Sequence, residues 1–164
     1  MHLSLRPAIV LLAALATASA AAAAPGFNGK VCGLVSAKQV TALAGVSSKC
    51  TNATPSKGLG STMYVGNWAG LTAKSPTVQV TVALYSDAGA FKLAQQNLKQ
   101  GLPGPPKKVA GIGSAAYEAK GALSVGIHFT IGKYIVYVSL NTIGTPPKSA
   151  TMLEPLAKAV AAGL

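Results

Sequence analysis

The stretch SVGIHFTIGKYIVYVSLN, residues 124–141, decides the fold. On both sides of Gly132 and Lys133, apolar residues alternate with polar or small ones, which is typical of two strands that each bury one face. A Gly-X pair between two strands favours a type II′ turn, and such a turn fixes which residues pair. The sequence therefore predicts an antiparallel hairpin in which His128 lies opposite Tyr137.

This hairpin has one apolar face and one polar face. The predicted core face pairs Val125 with Leu140, Ile127 with Val138, and Phe129 with Val136. The opposite face pairs His128 with Tyr137, Gly126 with Ser139, and Ser124 with Asn141. A slip of one residue would expose the apolar set and bury Tyr137, so burial opposes that slip.

The polar face of the hairpin is the candidate ligand-binding surface. Residues 77–84 form another alternating strand, whose polar side chains are expected to point to the same side as His128, provided that no helix covers them. The candidate ligand-binding residues are His128, Tyr137, Ser139, Gln79, Thr81 and Tyr85. The alternative is an ordinary solvated sheet face on which a His–Tyr pair has no function.

Three helices are predicted around these strands. An S-x-x-Q capping box begins at Ser36, and an apolar stripe follows it as far as Gly45. The other two predicted helices cover residues 87–100, capped by Ser86, and the C-terminus to Leu164, with Pro155 in or near the first turn. Each helix has apolar residues at helical spacing, so each is expected to pack against the sheet.

Strand patterns complete the predicted architecture. The predicted strands lie near residues 61–69, 77–84, 114–119, 122–131 and 134–141, and residues 49–60 read as a loop. Short connections between strands favour antiparallel pairing. The sequence therefore predicts an α+β, two-layer fold with a mainly antiparallel sheet of about five strands and helices on one face.

The N-terminus has the order of residue types found in a cleavable secretory signal. Arg6 precedes the apolar run 8–16, which is too short to span a bilayer, and small residues follow it. We expect residues 1–24 to be a signal peptide cleaved after Ala20 or Ala24. A lipid anchor needs a cysteine directly after the cut, so the exported chain is expected to be neither lipid-anchored nor transmembrane.

The remaining residues, 30–164, are predicted to form a single globular domain. Thirteen lysines, no arginine and three acids follow the signal, which leaves a net charge of +10. The lysines are spread singly, whereas nucleic-acid readers cluster their cations and depend on arginine, so no nucleic-acid partner is predicted. The lysines are expected to be either a solubilising coat or a source of weak, salt-sensitive attraction to an anionic envelope polymer or lipid surface.

The exported chain has two cysteines, Cys32 and Cys50. In an oxidising compartment they are expected to form a disulfide, and their spacing is not that of a catalytic dithiol. One histidine and three scattered acids are too few to predict a metal site or a cofactor site. No catalytic residue is assigned, since no serine lies in a G-x-S-x-G elbow.

Four short segments carry a resemblance to a known group of proteins. These segments are CGLVSAKQV (32–40), GIGSAAY (111–117), GKYIVYV (132–138) and LAKAV (156–160). The chain resembles the small exported domains of unknown function found in actinobacterial envelopes. The resemblance implies a disulfide-bearing α+β domain, often lipid-anchored and similar in outline to extracytoplasmic sensor modules, with no established catalytic residues; this chain lacks the anchoring cysteine.

Two functions from different classes follow from these observations. The first is a non-catalytic, extracytoplasmic binding module of the bacterial cell envelope that captures a ligand on the polar sheet face. The second is a structural or interaction protein that lysine charge holds on anionic envelope polymers. A hydrolase is a distant third, because the chain offers little acid–base chemistry. A steep loss of envelope association with added salt would favour the second function. Saturable binding of a ligand that persists in salt would favour the first.

Overall fold

The computed structural model describes residues 26–45 and 47–164. This part of the chain has an α+β fold, as predicted. Its strands are β1 (Ser48–Asn52), β2 (Ser56–Gly58), β3 (Ser61–Gly70), β4 (Thr77–Tyr85), β5 (Lys107–Val109), β6 (Ala115–Lys120), β7 (Ser124–Ile131) and β8 (Tyr134–Asn141). Its α-helices are α1 (Ala37–Ala44), α2 (Ala88–Gln96) and α3 (Glu154–Ala162).

The strands of the described residues form one antiparallel sheet in the order β1-β3-β4-β8-β7-β6-β5, with β2 also pairing β3. The central hairpin β7–β8 has the predicted register, with His128 opposite Tyr137 and Ile127 opposite Val138. Gly132 has a φ of 53°, as the first central residue of a type II′ turn requires. The prediction from the Gly132 turn is therefore confirmed residue by residue.

The sheet has eight strands, so the prediction of about five was wrong. The additional strands β1, β2 and β5 lie at or near the sheet edges and have five, three and three residues. They are polar and mostly exposed, and they lack the alternating apolar residues that identify a half-buried strand. Strand β2 and all of β1 except Ser48 lie within residues 49–60, which the sequence pattern had assigned to a loop. Short, lysine-bearing strands of this kind are typical of sheet edges.

One side of the sheet, here called the closed face, carries the hydrophobic core. Its centre consists of the predicted apolar side chains Val125, Ile127, Phe129, Val136, Val138 and Leu140, all of which are at most 1% exposed. Val40 of α1 and Val160 of α3 are fully buried against this cluster. Helices α1 and α3 therefore seal the closed face.

The other side of the sheet, here called the groove face, carries His128 and Tyr137. Helix α2 lies against this side, so the prediction that all helices share one face was wrong. Asp87 caps α2, because its Oδ1 accepts a hydrogen bond from Ala90 N. The predicted cap, Ser86, instead donates through Oγ to Gly60 O at 3.1 Å. The helix thus begins one residue later than predicted. It ends at Gln96, four residues earlier than predicted, and residues 97–101 form turns.

The structure tests the predicted disulfide but not the predicted signal peptide. The Cys32–Cys50 disulfide is present and joins the turn before α1 to strand β1. Closing a loop of this length stabilises a fold by roughly 3 kcal/mol through the unfolded state. The predicted signal peptide, residues 1–24, lies outside the described residues. Among the helices that are described, none has the length and apolar surface that a membrane span requires.

Candidate ligand groove

A groove of about 640 Å³ lies between α2 and the groove face of the sheet. Its floor consists of sheet side chains, namely Thr81, Ala83, Tyr85, His128, Ile135 and Tyr137. Its wall consists of Ala90, Leu93, Ala94 and Leu98, on α2 and just after it. This volume and this mixture of apolar walls with a few polar groups are typical of small-molecule sites.

His128 and Tyr137 form one end of the groove floor. Their ring centroids are 4.5 Å apart, and the ring planes meet at 63°. The Tyr137 ring lies over Gly126 of the neighbouring strand so closely that a Cβ at this position would be 2.7 Å from Tyr137 Cε2. Gly126 is therefore required for the position of the tyrosine, which in turn supports the imidazole.

The His128 ring is held from the side of α2 by a backbone carbonyl. His128 Nδ1 is 2.8 Å from Leu98 O. A carbonyl oxygen can only accept a hydrogen bond, so Nδ1 carries the proton and donates it. Burial lowers the pKa of His128, and the bond to Leu98 O opposes this shift only in part. The imidazole is therefore neutral at physiological pH, and its second nitrogen, Nε2, has a free lone pair.

Tyr137 is also in a desolvated position. Burial raises the pKa of its phenol, and the nearby Ser139 hydroxyl lowers it by a smaller amount. The phenol therefore stays protonated across the physiological range. The end of the groove near His128 thus presents two uncharged aromatic groups with polar atoms.

The structure brings together four of the six predicted ligand-binding residues. His128, Tyr137, Thr81 and Tyr85 all line the groove. The other two are on the same face of the sheet but do not line it. Gln79 donates through Nε2 to Asn67 Oδ1 at 2.9 Å, and Ser139 is buried. Whether any of the six binds a ligand stays a prediction.

Large apolar side chains are exposed at the rim of the groove. Leu59 is 94% exposed, Leu93 60% and Met63 42%, and all three belong to the lining. Leu59 occupies the first central position of the tight β2–β3 turn with a φ of 48°, the only positive φ of a non-glycine residue in the described part of the chain. A bulky residue rarely adopts this conformation, so the turn holds an exposed leucine at an energetic cost.

The groove has little charge. Among the described residues that line it, Asp87 is the only side chain that is charged at neutral pH. All thirteen lysines are exposed, and none of them belongs to the lining. The groove is therefore a weakly acidic, mainly apolar site on a basic protein.

The sequence analysis missed the half of the groove that α2 contributes. The predicted helix 87–100 had been given an apolar side, which includes Ala94 and Leu98 of the lining, but the pattern does not say which sheet face this side covers. Leu59 and Ile135 also line the groove and were not predicted. Ile135 lies opposite Ala83 on the groove face, so the alternation of β8 could have identified it.

Comparisons with protein-family models, with curated proteins and with solved structures found no protein that matches this chain. The resemblance to actinobacterial envelope domains accordingly stays a prediction. The groove, its exposed rim and its buried His–Tyr pair are the features that bear on function.

Proposed function

We propose that this protein is a non-catalytic binding module of the bacterial cell envelope that holds an apolar small molecule between α2 and the sheet. The single observation that carries this proposal is the groove of about 640 Å³ with apolar walls. The Cys32–Cys50 disulfide is consistent with work outside the cytoplasm. The predicted signal peptide supports the same location.

The exposed rim supports binding over a purely structural role for the groove face. Leu59, Met63 and Leu93 are adjacent to the groove, so their apolar surface is continuous with its walls. Burying such a surface is favourable by about 25 cal/mol per Å². Contiguous apolar surface of this kind on a soluble domain marks binding sites more often than chance exposure does.

The chemistry of the lining favours binding over catalysis. His128 is the only histidine in the described lining, burial lowers its pKa, and its Nδ1 is already bonded to Leu98 O. Asp87 is occupied as the cap of α2. A hydrolytic site needs a nucleophile, a base and an orienting group within reach of one another. The groove supplies one base without such partners.

A second candidate function rests on a different observation, the thirteen exposed lysines. They can hold the protein on an anionic envelope polymer through long-range attraction, which salt weakens. Raising the salt concentration separates the two functions. Release of the protein from isolated envelopes, with unchanged binding of an uncharged probe, assigns the lysines to attachment and leaves the groove as the ligand site.

The groove is tested with Nile red, an uncharged dye that fluoresces in apolar surroundings. We expect saturable binding to the wild-type protein and a loss of affinity of tenfold or more in Leu93→Lys, because the substitution places a hydrated cation on the groove wall. Leu71→Lys is the matched control. Leu71 is also an exposed leucine, at 89%, but it lies in the β3–β4 connection away from the groove.

Both leucines are exposed, so neither substitution is expected to change the free energy of unfolding by more than about 0.5 kcal/mol. A denaturant titration of each variant checks this condition. Equal dye affinity in Leu93→Lys, Leu71→Lys and the wild-type protein would contradict the proposed site. Absence of saturable binding to the wild-type protein would contradict the proposed function itself.

A further inference from the structure

We propose that the ligand is an uncharged amphiphile whose alkyl part lies along α2 and whose hydroxyl or amide group donates a hydrogen bond to His128 Nε2. The proposal rests on the proposed function and specifies the chemical class of the ligand. It is carried by three features of the groove: the orientation of one imidazole, the lack of a cation in the described lining, and the position of His128 relative to Leu59.

The hydrogen bond to Leu98 O determines what His128 can offer to a ligand. Because Nδ1 donates to this carbonyl, the neutral ring has its lone pair at Nε2. Among the described residues, Nε2 has no hydrogen-bond partner, and the buried side-chain atoms without a partner are Ser48 Oγ and Glu118 Oε2. Nε2 is therefore open to solvent, and His128 lines the groove. A ligand group that donates a hydrogen bond is its natural partner.

The lining offers no cation to an anionic head group. No lysine belongs to the described lining, and Lys99, which follows Leu98, lies over the Tyr117 ring with its Nζ 5.1 Å from the ring centroid. A carboxylate or phosphate in the groove would lose its hydration without gaining a cation, and its oxygens would face the lone pair of His128 Nε2. An alkyl alcohol avoids both costs. The groove is therefore expected to bind an alkyl alcohol more tightly than a carboxylate with the same alkyl chain.

His128 and Leu59 lie at opposite ends of the groove along α2. His128 lies with Leu98 just beyond the C-terminal end of the helix, whereas Leu59 lies near its N-terminal end, beside the Asp87 cap. The nine residues of α2 span about 14 Å. An extended ligand can therefore place its donor at His128 and its alkyl chain between α2 and the sheet, with the end of the chain against Leu59.

The test compares three decyl compounds as competitors of Nile red at pH 7.5: 1-decanol, its methyl ether and decanoate. They share the alkyl chain, but only the alcohol can donate a hydrogen bond, and only decanoate is charged. We expect 1-decanol to bind about fivefold to tenfold more tightly than the ether, the usual worth of one neutral hydrogen bond. Decanoate is expected to bind at least tenfold more weakly than 1-decanol.

His128→Phe provides the matched variant, because it keeps an aromatic ring beside Tyr137 and removes both nitrogens. In this variant 1-decanol and its ether are expected to bind equally. Equal affinities of 1-decanol and its ether for the wild-type protein would overturn the assignment of the head group, but the apolar groove would remain a binding site. Tighter binding of decanoate than of 1-decanol would overturn it as well. Failure of every decyl compound to displace the dye would refute the proposed function instead.

A second measurement needs no variant and so does not depend on the folding of His128→Phe. The imidazole ¹⁵N resonances of the wild-type protein report which nitrogen is protonated and which accepts a hydrogen bond. We expect a protonated Nδ1 and an unprotonated Nε2 without ligand, and an upfield shift of Nε2 alone at saturating 1-decanol. A protonated Nε2, or an Nε2 resonance that saturating 1-decanol leaves unchanged, would overturn the proposed contact.

Discussion

Helices α2 and α3 each have nine residues, and they lie on opposite faces of the same sheet. Helix α3 buries Leu156, Ala157 and Val160 in the core, whereas none of the residues of the described helix α2 is buried. Leu93 of α2 is 60% exposed. A helix with an apolar side normally packs that side tightly. The contrast shows that α2 leaves apolar surface uncovered, and we assign this surface to a ligand.

The sheet itself shows the same contrast between its faces. On the closed face, side chains such as Ile127, Phe129 and Val136 are fully buried. On the groove face, Thr81 of β4 and Ile135 of β8 remain half-buried. Changes on the closed face should therefore affect mainly stability, and changes on the groove face mainly binding.

The largest expected effect is a difference in stability between alanine variants of two isoleucines, Ile127 on β7 and Ile135 on the paired strand β8. Ile127→Ala is expected to lower the free energy of unfolding by about 2–5 kcal/mol, because Ile127 is fully buried and truncation leaves a cavity. Ile135→Ala is expected to cost about 1 kcal/mol, because half-buried side chains lose less on truncation. Denaturant titrations of both variants measure the difference.

Nile red binding provides the complementary measurement on this pair. Affinity is expected to fall in Ile135→Ala and to stay unchanged in folded Ile127→Ala. If Ile127→Ala is silent while Ile135→Ala unfolds the protein, the two faces have been assigned the wrong way round.

A smaller effect tests the one acid on the closed face. Glu118 is 4% exposed, and its Oε2 has no hydrogen-bond partner among the described residues. Burial raises the pKa of Glu118, Glu154 raises it further, and Lys107 opposes both. A carboxyl whose folded pKa is raised contributes stability below its unfolded pKa, and this contribution is lost as pH rises through the folded value.

Glu118→Gln is therefore expected to be more stable than the wild-type protein at pH 7, by on the order of 1 kcal/mol, because it removes a buried charge. The advantage should shrink as pH falls through the raised folded pKa toward 4.5, the ordinary pKa of the group, and should be absent below that value. Thermal unfolding of the variant and of the wild-type protein from pH 4 to pH 8 measures the trend. A stability difference that does not depend on pH would show that Glu118 is not desolvated.

The smallest expected effect concerns the turn residue Leu59 at the open end of the groove. Leu59→Asn should raise the free energy of unfolding by about 0.5 kcal/mol, because Asn tolerates the positive φ that strains leucine. The same substitution removes apolar surface from the rim, so Nile red affinity should fall. Stability and binding would then change in opposite directions, as expected of a residue kept for a ligand.

Leu71→Asn is the control for this pair of measurements. Leu71 is 89% exposed and has no positive φ, so neither stability nor dye binding should change appreciably. A loss of stability in Leu59→Asn without a change in binding would show that Leu59 serves the fold and not the groove.

The central hairpin could be predicted in detail because local chemistry determines it. Gly132 specifies the turn, the turn specifies the register, and burial of one face opposes a slip. Sequence alternation also placed Thr81 and Tyr85 on the side of His128, and both line the groove. The alternation of residues along the strands and the turn at Gly132 were thus enough to predict four residues of the groove, namely His128, Tyr137, Thr81 and Tyr85.

The rest of the groove could not be predicted, because it depends on contacts between residues far apart in the chain. His128 meets Leu98 O across thirty positions, and no local pattern encodes this bond. The apolar positions of α2 indicate that one side packs, but they do not indicate which sheet face it covers. The polar edge strands β1, β2 and β5 carry no alternation and were missed for that reason.

The most direct test of the groove is a map of side-chain methyl chemical-shift changes in the wild-type protein as 1-decanol is added. We predict saturable changes at Thr81, Ala83 and Ile135 on the sheet and in α2, with little change at Val80 and Val138 on the closed face. Changes concentrated on the closed face or along the edge strands, or no saturable change anywhere, would contradict the assignment of the groove as the binding site.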